Sequence, residues 1–291
     1  MSALMDRVAA APISWGVCEV PGWGYQMPSE QVLEDMSALG VTATEFGPVG
    51  FLPDAPAAKA AALREHGLQA VGGFLPVMLH EPEHDVLPEV DTYLDGCIEA
   101  GAGVIVLAAF TGTEGYDDRP ELDEAGWRTL LGNLDRIDEQ ARSRGVVAAL
   151  HPHVGTMIER EAEVERVLEG SRVGLCLDTG HLLVGGTDPV ALTRRYADRV
   201  VHVHLKDVDA ALAADVRNGK VAYGDAIWQG LFRPLGEGDV DLVDLVRTLE
   251  GSGYDGWYVL EQDIRLHGEP EDGGPVAGVR SSLDYLRQVA A

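Results

Sequence analysis

Basic residues are scarce in this chain. Its 291 residues carry 22 Lys and Arg against 48 Asp and Glu, a formal net charge of −26. Binding a nucleic-acid backbone relies on Lys and Arg releasing counterions, so a surface this acidic repels DNA and RNA. Cysteine is scarce too. Cys18, Cys97 and Cys176 are odd in number, far apart and without CxxC spacing. They exclude a disulfide framework and a zinc ribbon, and read as reduced thiols of an intracellular protein. No run approaches the roughly 18 apolar residues of a membrane span. The opening Met1-Ser2-Ala3-Leu4-Met5-Asp6-Arg7 has no basic region leading into an apolar core, so no signal peptide is expected and the cytoplasm is the expected location.

The remaining composition is ordinary for a globular protein, with 46% hydrophobic and 24% charged residues. A chain this long can bury enough surface to fold without a disulfide or metal. Its pattern repeats. Continuous apolar runs, as expected for parallel strands covered on both faces, fall at Ala9–Cys18, Thr42–Phe46, Gln69–Phe74, Val104–Phe110, Val146–His151, Val173–Leu177, Val200–Leu205 and Trp257–Glu261. Between them lie amphipathic helical patterns at Ser29–Leu39, Ala57–His66, Val86–Ala100, Asp123–Arg144, Glu161–Glu169, Pro189–Asp198, Leu242–Glu250 and Val276–Ala290. Ser29 is placed to cap the first helix and Gly40 to end it, and Asp188-Pro189 supplies an N-cap with proline at N1. Eight strands alternating with eight helices predict a single α/β domain over 1–291, a (β/α)8 TIM barrel. A doubly wound open sheet is the alternative, but no GxGxxG fingerprint follows the first strand. One long excursion, Val208–Leu235, reads as a lid-like insertion with a helical stretch at Ala210–Asn218. Leu266–Pro275 reads as a solvated loop.

A TIM barrel presents its chemistry at the carboxyl ends of its strands. Five of the nine histidines lie between positions 151 and 204. The fifth strand ends in His151-Pro-His153, the sixth in Asp178-Thr-Gly-His181, the seventh in His202-Val-His204-Leu-Lys206-Asp207 and the eighth in Glu261-Gln-Asp263. His, Asp, His and Glu thus share one level on four successive strands. Such nitrogen and oxygen donors without a thiolate suit a divalent ion: Mn²⁺, Co²⁺, Zn²⁺ or Fe²⁺. His202 and His204 point to the same side in different layers, and only His204 lies near enough to the mouth to be a ligand. Cys176 reads as barrel packing.

LDTGH at 177–181, HVHLKD at 202–207, PLGEGDVD at 234–241 and VLEQD at 259–263 resemble the xylose-isomerase-like superfamily of sugar isomerases and epimerases. APISWGVCEVPGWG at 11–24, ATEFGPVGFLP at 43–53 and HPHVGT at 151–156 resemble its inosose dehydratase branch. The resemblance spans essentially the whole chain. It implies metal ligands at His151, Asp178, His204 and Glu261. Where the epimerases carry a glutamate on the fifth strand this chain has His151, so the paired glutamates of epimerisation are incomplete. The reaction implied is dehydration of a keto-cyclitol such as 2-keto-myo-inositol, with Mn²⁺ or Co²⁺ as the leading metals.

Within that reading Glu261 is the first choice of general base, with a pure ligand role as the alternative, and His153 and His181 are candidate acids because histidine can carry a proton near neutral pH. His181 is also a substrate contact by resemblance. Lys206 binds a substrate oxygen or stabilises an enolate, unless it merely pairs with Asp207. Glu45 either binds a substrate hydroxyl or supports the ligands. Trp15 is an apolar wall beneath a polyol ring or a packed barrel aromatic. Gly236-Glu237-Gly238 hints only weakly at phosphate, and an uncharged polyol or keto-sugar is the expected partner. Competing readings on the same scaffold are an isomerase or epimerase and a lyase eliminating a substituent from a keto-sugar. An apurinic-site endonuclease would need three zinc ions and a basic face. A non-catalytic binding barrel would need neither four ligands nor acid–base groups. The oligomeric state is open, a homo-oligomer included.

Overall fold

Pro12 sets the first departure from the expected pattern. Lacking an N–H, proline cannot extend a sheet ladder, and the first strand stops before it. In the computed structural model, which describes residues 4–113, 115–116, 119–271 and 273–291, β1 covers only Val8–Ala10 and Pro12–Trp15 form one 3₁₀ turn. The turn ends at Gly16, whose φ of +79° is left-handed. Residues 1–3 of the opening stretch and Asp272 of the 266–275 loop lie outside the described residues.

The other barrel strands are β2 (Ala43–Glu45), β3 (Gln69–Val77), β4 (Val104–Ala109), β5 (Val147–Leu150), β6 (Gly174–Asp178) and β7 (Val200–Leu205). A two-residue hairpin follows, β8 (Asp207–Val208) with β9 (Phe232–Arg233), and β10 (Tyr258–Leu260) is the eighth barrel strand. The barrel closes in the order β1-β2-β3-β4-β5-β6-β7-β10, all parallel. This is the single (β/α)8 TIM barrel that the alternation predicts. Its strands are short and almost wholly buried; all six residues of β4 are.

Around the barrel run α1 (Ser29–Ala38), α2 (Pro56–Glu65), α3 (Leu87–Ala100), α4 (Glu124–Ser143) and α5 (Glu161–Gly170). After them come α6 (Thr179–Gly185), α7 (Pro189–Tyr196), α8 (Ala210–Arg217), α9 (Tyr223–Trp228), α10 (Leu242–Ser252) and α11 (Pro275–Val289). Their apolar spacing explains their packing: α4 buries Trp127, Leu130, Leu134, Ile137 and Ala141 at helical intervals against the barrel. Its N-terminus is held by Asp123, which accepts from the amides of Ala125 and Gly126. Asp188 caps α7 as expected. Ser29 does not cap α1; it is the first helical residue, because Pro28 takes the cap position. The helices α6 and α9 and the β8–β9 hairpin lie outside the expected pattern.

The 234–241 segment explains its own glycines. Asp207, fully buried, accepts from the amides of Gly236 at 2.8 Å, Gly238 at 3.0 Å and Val240 at 3.1 Å. A Cβ at Gly238 would stand 2.3 Å from the Asp207 carboxylate. The nest of amides that a GxG segment offers an anion is therefore filled by a residue of the chain itself, which removes the phosphate hint. Asp207 is likewise not the ion-pair partner of Lys206. We expect Asp207→Ala to lower stability by about 2–4 kcal/mol, because these three amides and that of Val208 lose their acceptor together. Urea denaturation measures it, and a loss within experimental error would contradict the assignment.

Candidate functional site

Asp178 lies where β6 becomes α6, and its two carboxylate oxygens do different work. Oδ1 caps the helix, accepting from Gly180 N at 2.8 Å and His181 N at 2.7 Å. Oδ2 is left facing the barrel mouth, 3.0 Å from His151 Nε2 and 2.8 Å from Lys206 Nζ. The neighbouring strand β7 places His204 opposite in register, with Nδ1 3.6 Å from the same oxygen. On the other side of β7, Val259 of β10 is the register partner of His204. Glu261, just past β10, brings Oε2 to 3.1 Å from His204 Nδ1. Lys206 Nζ touches Glu261 Oε2 as well, and lies 3.3 Å from Asp263 Oδ1.

Glu45 sits one layer beneath. Its Oε1 is 2.7 Å from His202 Nε2 and 2.9 Å from His204 Nε2. Of the two roles open to Glu45, the geometry supports the one below the ligands and not contact with a substrate hydroxyl, since this oxygen is spent on two buried imidazoles. Its consequence is a tautomer: against burial, the surrounding carboxylates hold the pKa of His204 well above its ordinary value, and when it loses that proton, with Nε2–H donating to Glu45, Nδ1 is the nitrogen left with a lone pair.

Beside this group His181 and His153 lie face against face at a tilt of 31°, ring centroids 3.7 Å apart. His153 Nδ1 bonds to the Val154 carbonyl at 2.7 Å, and His181 Nδ1 accepts the Val154 amide at 3.3 Å. The proton of neutral His181 is thereby on Nε2, 3.6 Å from Asp263 Oδ2. Tyr223 of α9 donates its hydroxyl to the same Asp263 oxygen at 3.0 Å. Tyr116 stacks on His153 and packs against Tyr223, their centroids 4.9 Å apart.

Trp15 is elsewhere. It is fully buried, and its indole N–H donates to Asp35 of α1 at 3.1 Å. Of the two roles open to Trp15, this is the packed aromatic, tied to the helix layer, and not the wall beneath a substrate ring. The reason is again Pro12, which turns the chain away before Trp15 can end a strand.

With the geometry in hand, known proteins can be set beside it. The family model described as xylose isomerase-like TIM barrel matches residues 33–289. The chain belongs to the xylose isomerase-like TIM barrel family. It is 33% identical over 304 residues to the rhizopine catabolism protein MocC of Rhizobium meliloti, covering 100% of this chain and 90% of that one. It is 32% identical over 293 residues to the inosose dehydratase of Geobacillus kaustophilus, covering 96% and 93%. Among solved structures, the IOLI protein with a bound zinc atom superposes with a TM-score of 0.73 over 98% of each chain, at 14% identity. That likeness is one of fold.

Set in this xylose isomerase-like barrel, the donors fit a divalent cation. Asp178, His204 and Glu261 offer ligand atoms within 4.8 Å of one another, and His151 forms a second such group with Asp178 and His181. His204 Nδ1 is buried and makes no hydrogen bond, although it faces two carboxylate oxygens. Nitrogen and carboxylate oxygen in this proportion suit Mn²⁺, Co²⁺, Zn²⁺ or Fe²⁺.

The electrostatics run the same way. Burial alone would raise the pKa of Asp178, but the Lys206 ammonium together with His181 and the hydrogen bonds of His151 and His204 outweighs it and holds the carboxyl well below its usual range. Glu261 is likewise brought down to about 2 against burial, by His204 and Lys206. Burial opposes the charge on Lys206, yet Asp178, Asp263 and Glu261 keep the amine protonated well above its ordinary pKa. Burial and its neighbour His151 push His153 down to about 3, and burial with His153 holds His181 well below its ordinary value. Both imidazoles are therefore neutral, and the charge that recommended them as acids is absent.

Asp263 and Tyr223 are the residues that sequence reasoning passed over. Asp263 shares the facing of Glu261 two residues earlier, a period-two signal that was available. Tyr223 gave none, because it comes from the insertion.

We expect two variants to separate these roles. Lys206→Met leaves three carboxylates, Asp178, Glu261 and Asp263, without their ammonium and should cost about 3–5 kcal/mol in chelator-treated protein. Part of that loss should return with Mn²⁺, read from urea midpoints. Glu45→Gln should weaken Mn²⁺ binding about 10–100-fold by calorimetry, and unchanged affinity would show that Glu45 does not orient His204.

Proposed function

We propose that this chain is a divalent-metal-dependent dehydratase of a keto-cyclitol, 2-keto-myo-inositol or a close relative. The observation that carries the proposal is the convergence of ionised Glu261, protonated Lys206 and neutral His181 on the donor group of Asp178 and His204. The full-length similarity to an inosose dehydratase supports the substrate class. So does the filled nest at 236–240, which offers a phosphate nothing to bind. The proposed ligands are His151, Asp178, His204 and Glu261, and Mn²⁺ or Co²⁺ leads among the ions.

When bound, the ion would supply Lewis-acid stabilisation of negative charge on the substrate carbonyl oxygen. The chain's own groups do the rest. Glu261, ionised at neutral pH, takes the proton from the carbon beside the carbonyl. Lys206 reaches both Asp178 and Glu261 and donates an N–H to the oxygen on which charge develops. Neutral His181 directs its Nε2–H toward the position of a ring hydroxyl, and His153 stacks on its face to fix the plane. The hydroxyl on the next carbon leaves with a proton from Asp263, whose carboxyl burial raises to about 6 and which also accepts the Tyr223 hydroxyl, and the proton taken up by Glu261 balances the one given. One C–H and one C–O bond break, a C=C forms, and water departs. Near-complete burial of His151, Asp178, His204 and Lys206 keeps solvent from the enolate.

Proton return to the neighbouring carbon without loss of water would make the enzyme an isomerase or epimerase. The fifth-strand position that an epimerase fills with glutamate is His151, and its side chain is held against Asp178. Incubation with 2-keto-myo-inositol and Mn²⁺ in D₂O distinguishes the two by NMR. We expect an enolic dione product; deuterium incorporation with no dehydration would replace this reading with the isomerase one. Asp178→Ala and His204→Ala should each lower activity by at least about 10³-fold and abolish stoichiometric Mn²⁺ retention. Full retention in both would overturn the ligand set.

A further inference from the structure

Arg265 lies on the segment after β10 that also carries Glu261 and Asp263, yet its guanidinium is spent on other parts of the barrel mouth. Nε donates to the Trp23 carbonyl, and Nη2 to the Gly22 carbonyl at 2.8 Å, both in the loop after β1. Nη1 donates to the Gly224 carbonyl at 3.1 Å, in the first turn of α9. The guanidinium carbon lies 5.2 Å from the Trp23 ring and 4.6 Å from the Trp228 ring. Trp228 in turn stacks on His267 at 4.0 Å and 12°. The two outer strands of this junction are also laced directly: Trp23 Nε1 donates to the Ile264 carbonyl at 2.8 Å, and Tyr25 N to the Leu266 carbonyl at 2.8 Å.

These contacts converge on one turn. Asp263 holds the Tyr223 hydroxyl, and Arg265, two residues on, holds the carbonyl of Gly224, the next residue of α9. A side chain at 224 would meet Arg265, with Cβ only 3.2 Å from Nη1. Elsewhere the insertion is joined to the barrel by the β8–β9 hairpin and by Arg217, which donates to the carbonyls of Leu183 and Val184 in α6. Tyr223 itself is packed on Tyr116 and Phe232 in an apolar cluster with Trp23, Val154 and Val184, and Arg265 adds the polar tie at that turn. A planar fork of five donors can serve three carbonyls and two indole faces at once; a lysine ammonium cannot.

We propose that Arg265 is a positioning residue for the reaction. It holds the first turn of α9 against the segment after β10, sets the Tyr223 hydroxyl on Asp263, and so fixes the wall of the site that meets the hydroxyls of the substrate ring. This rests on the dehydratase reading for its substrate, but the clasp itself is a statement about the chain.

The experiment compares Arg265→Lys, Tyr223→Phe and the double variant. If Arg265 acts through Tyr223, each single change should raise KM for 2-keto-myo-inositol about 5–10-fold, as for one lost hydrogen bond, and lower kcat as well, because Tyr223 bonds the carboxyl that protonates the leaving hydroxyl. The double variant should then be no worse than the worse single one, because the two share one interaction. Hydrogen exchange of the amides of 222–229 should quicken about 10-fold or more in Arg265→Lys, with α1–α5 exchange and Mn²⁺ stoichiometry as in the wild type. Additive effects on KM, a wild-type KM in Arg265→Lys, or unchanged exchange at 222–229 would each overturn the proposal. Absence of wild-type turnover would defeat the dehydratase reading alone, since the exchange measurement decides the clasp without substrate.

Discussion

The divided carboxylate of Asp178 is the constraint on which the rest of the site depends. A carboxylate free to rotate would have to be ordered by whatever binds it. Here one oxygen accepts two amides at the start of α6, so the rotamer is set by the backbone and the second oxygen points into the mouth before any ligand arrives. His151, His204 and Lys206 all arrange themselves around that oxygen. The strand-to-helix junction that makes the fold thus also aims the chemistry.

The second constraint is charge. Glu45, Asp178, Glu261 and Asp263 are gathered in a space that excludes water, and only Lys206 and the histidines answer them. Burial costs of this size require paired charge. The site consequently keeps Lys206 protonated and His153 and His181 neutral, a division of labour that ordinary pKa values would not produce. By contrast, most of the acidic excess that dominates the composition lies outside the barrel mouth. The surface charge bears on which partners approach, and the few buried charges bear on what can happen to them.

The third is the way loops from distant positions are brought to one rim. The segments after β1, β7 and β10 meet at Arg265, Trp23 and Trp228, and on the same rim Tyr223 reaches Asp263. Among the described residues no helix is long and apolar enough to cross a membrane.

Taken alone, the amino-acid sequence determined the barrel and the strand ends. Continuous apolar runs separated by amphipathic helices leave few alternatives to eight parallel strands, and polar residues that interrupt such runs must lie at their ends. Asp178, His204, Glu261 and Lys206 were legible for that reason. It could not determine what each polar group faces. Whether Glu45 meets substrate or supports His204, whether Asp207 pairs with Lys206 or fills the nest at 236–240, and whether Trp15 lines the mouth depended on angles between strands and on the turn forced at Pro12. The protonation of His153 and His181 depended on burial and on each other, and the place of Tyr223 on a contact 40 residues away in the chain. Periodicity is a local property and survives in sequence; orientation, desolvation and long-range contact exist only once the chain has closed.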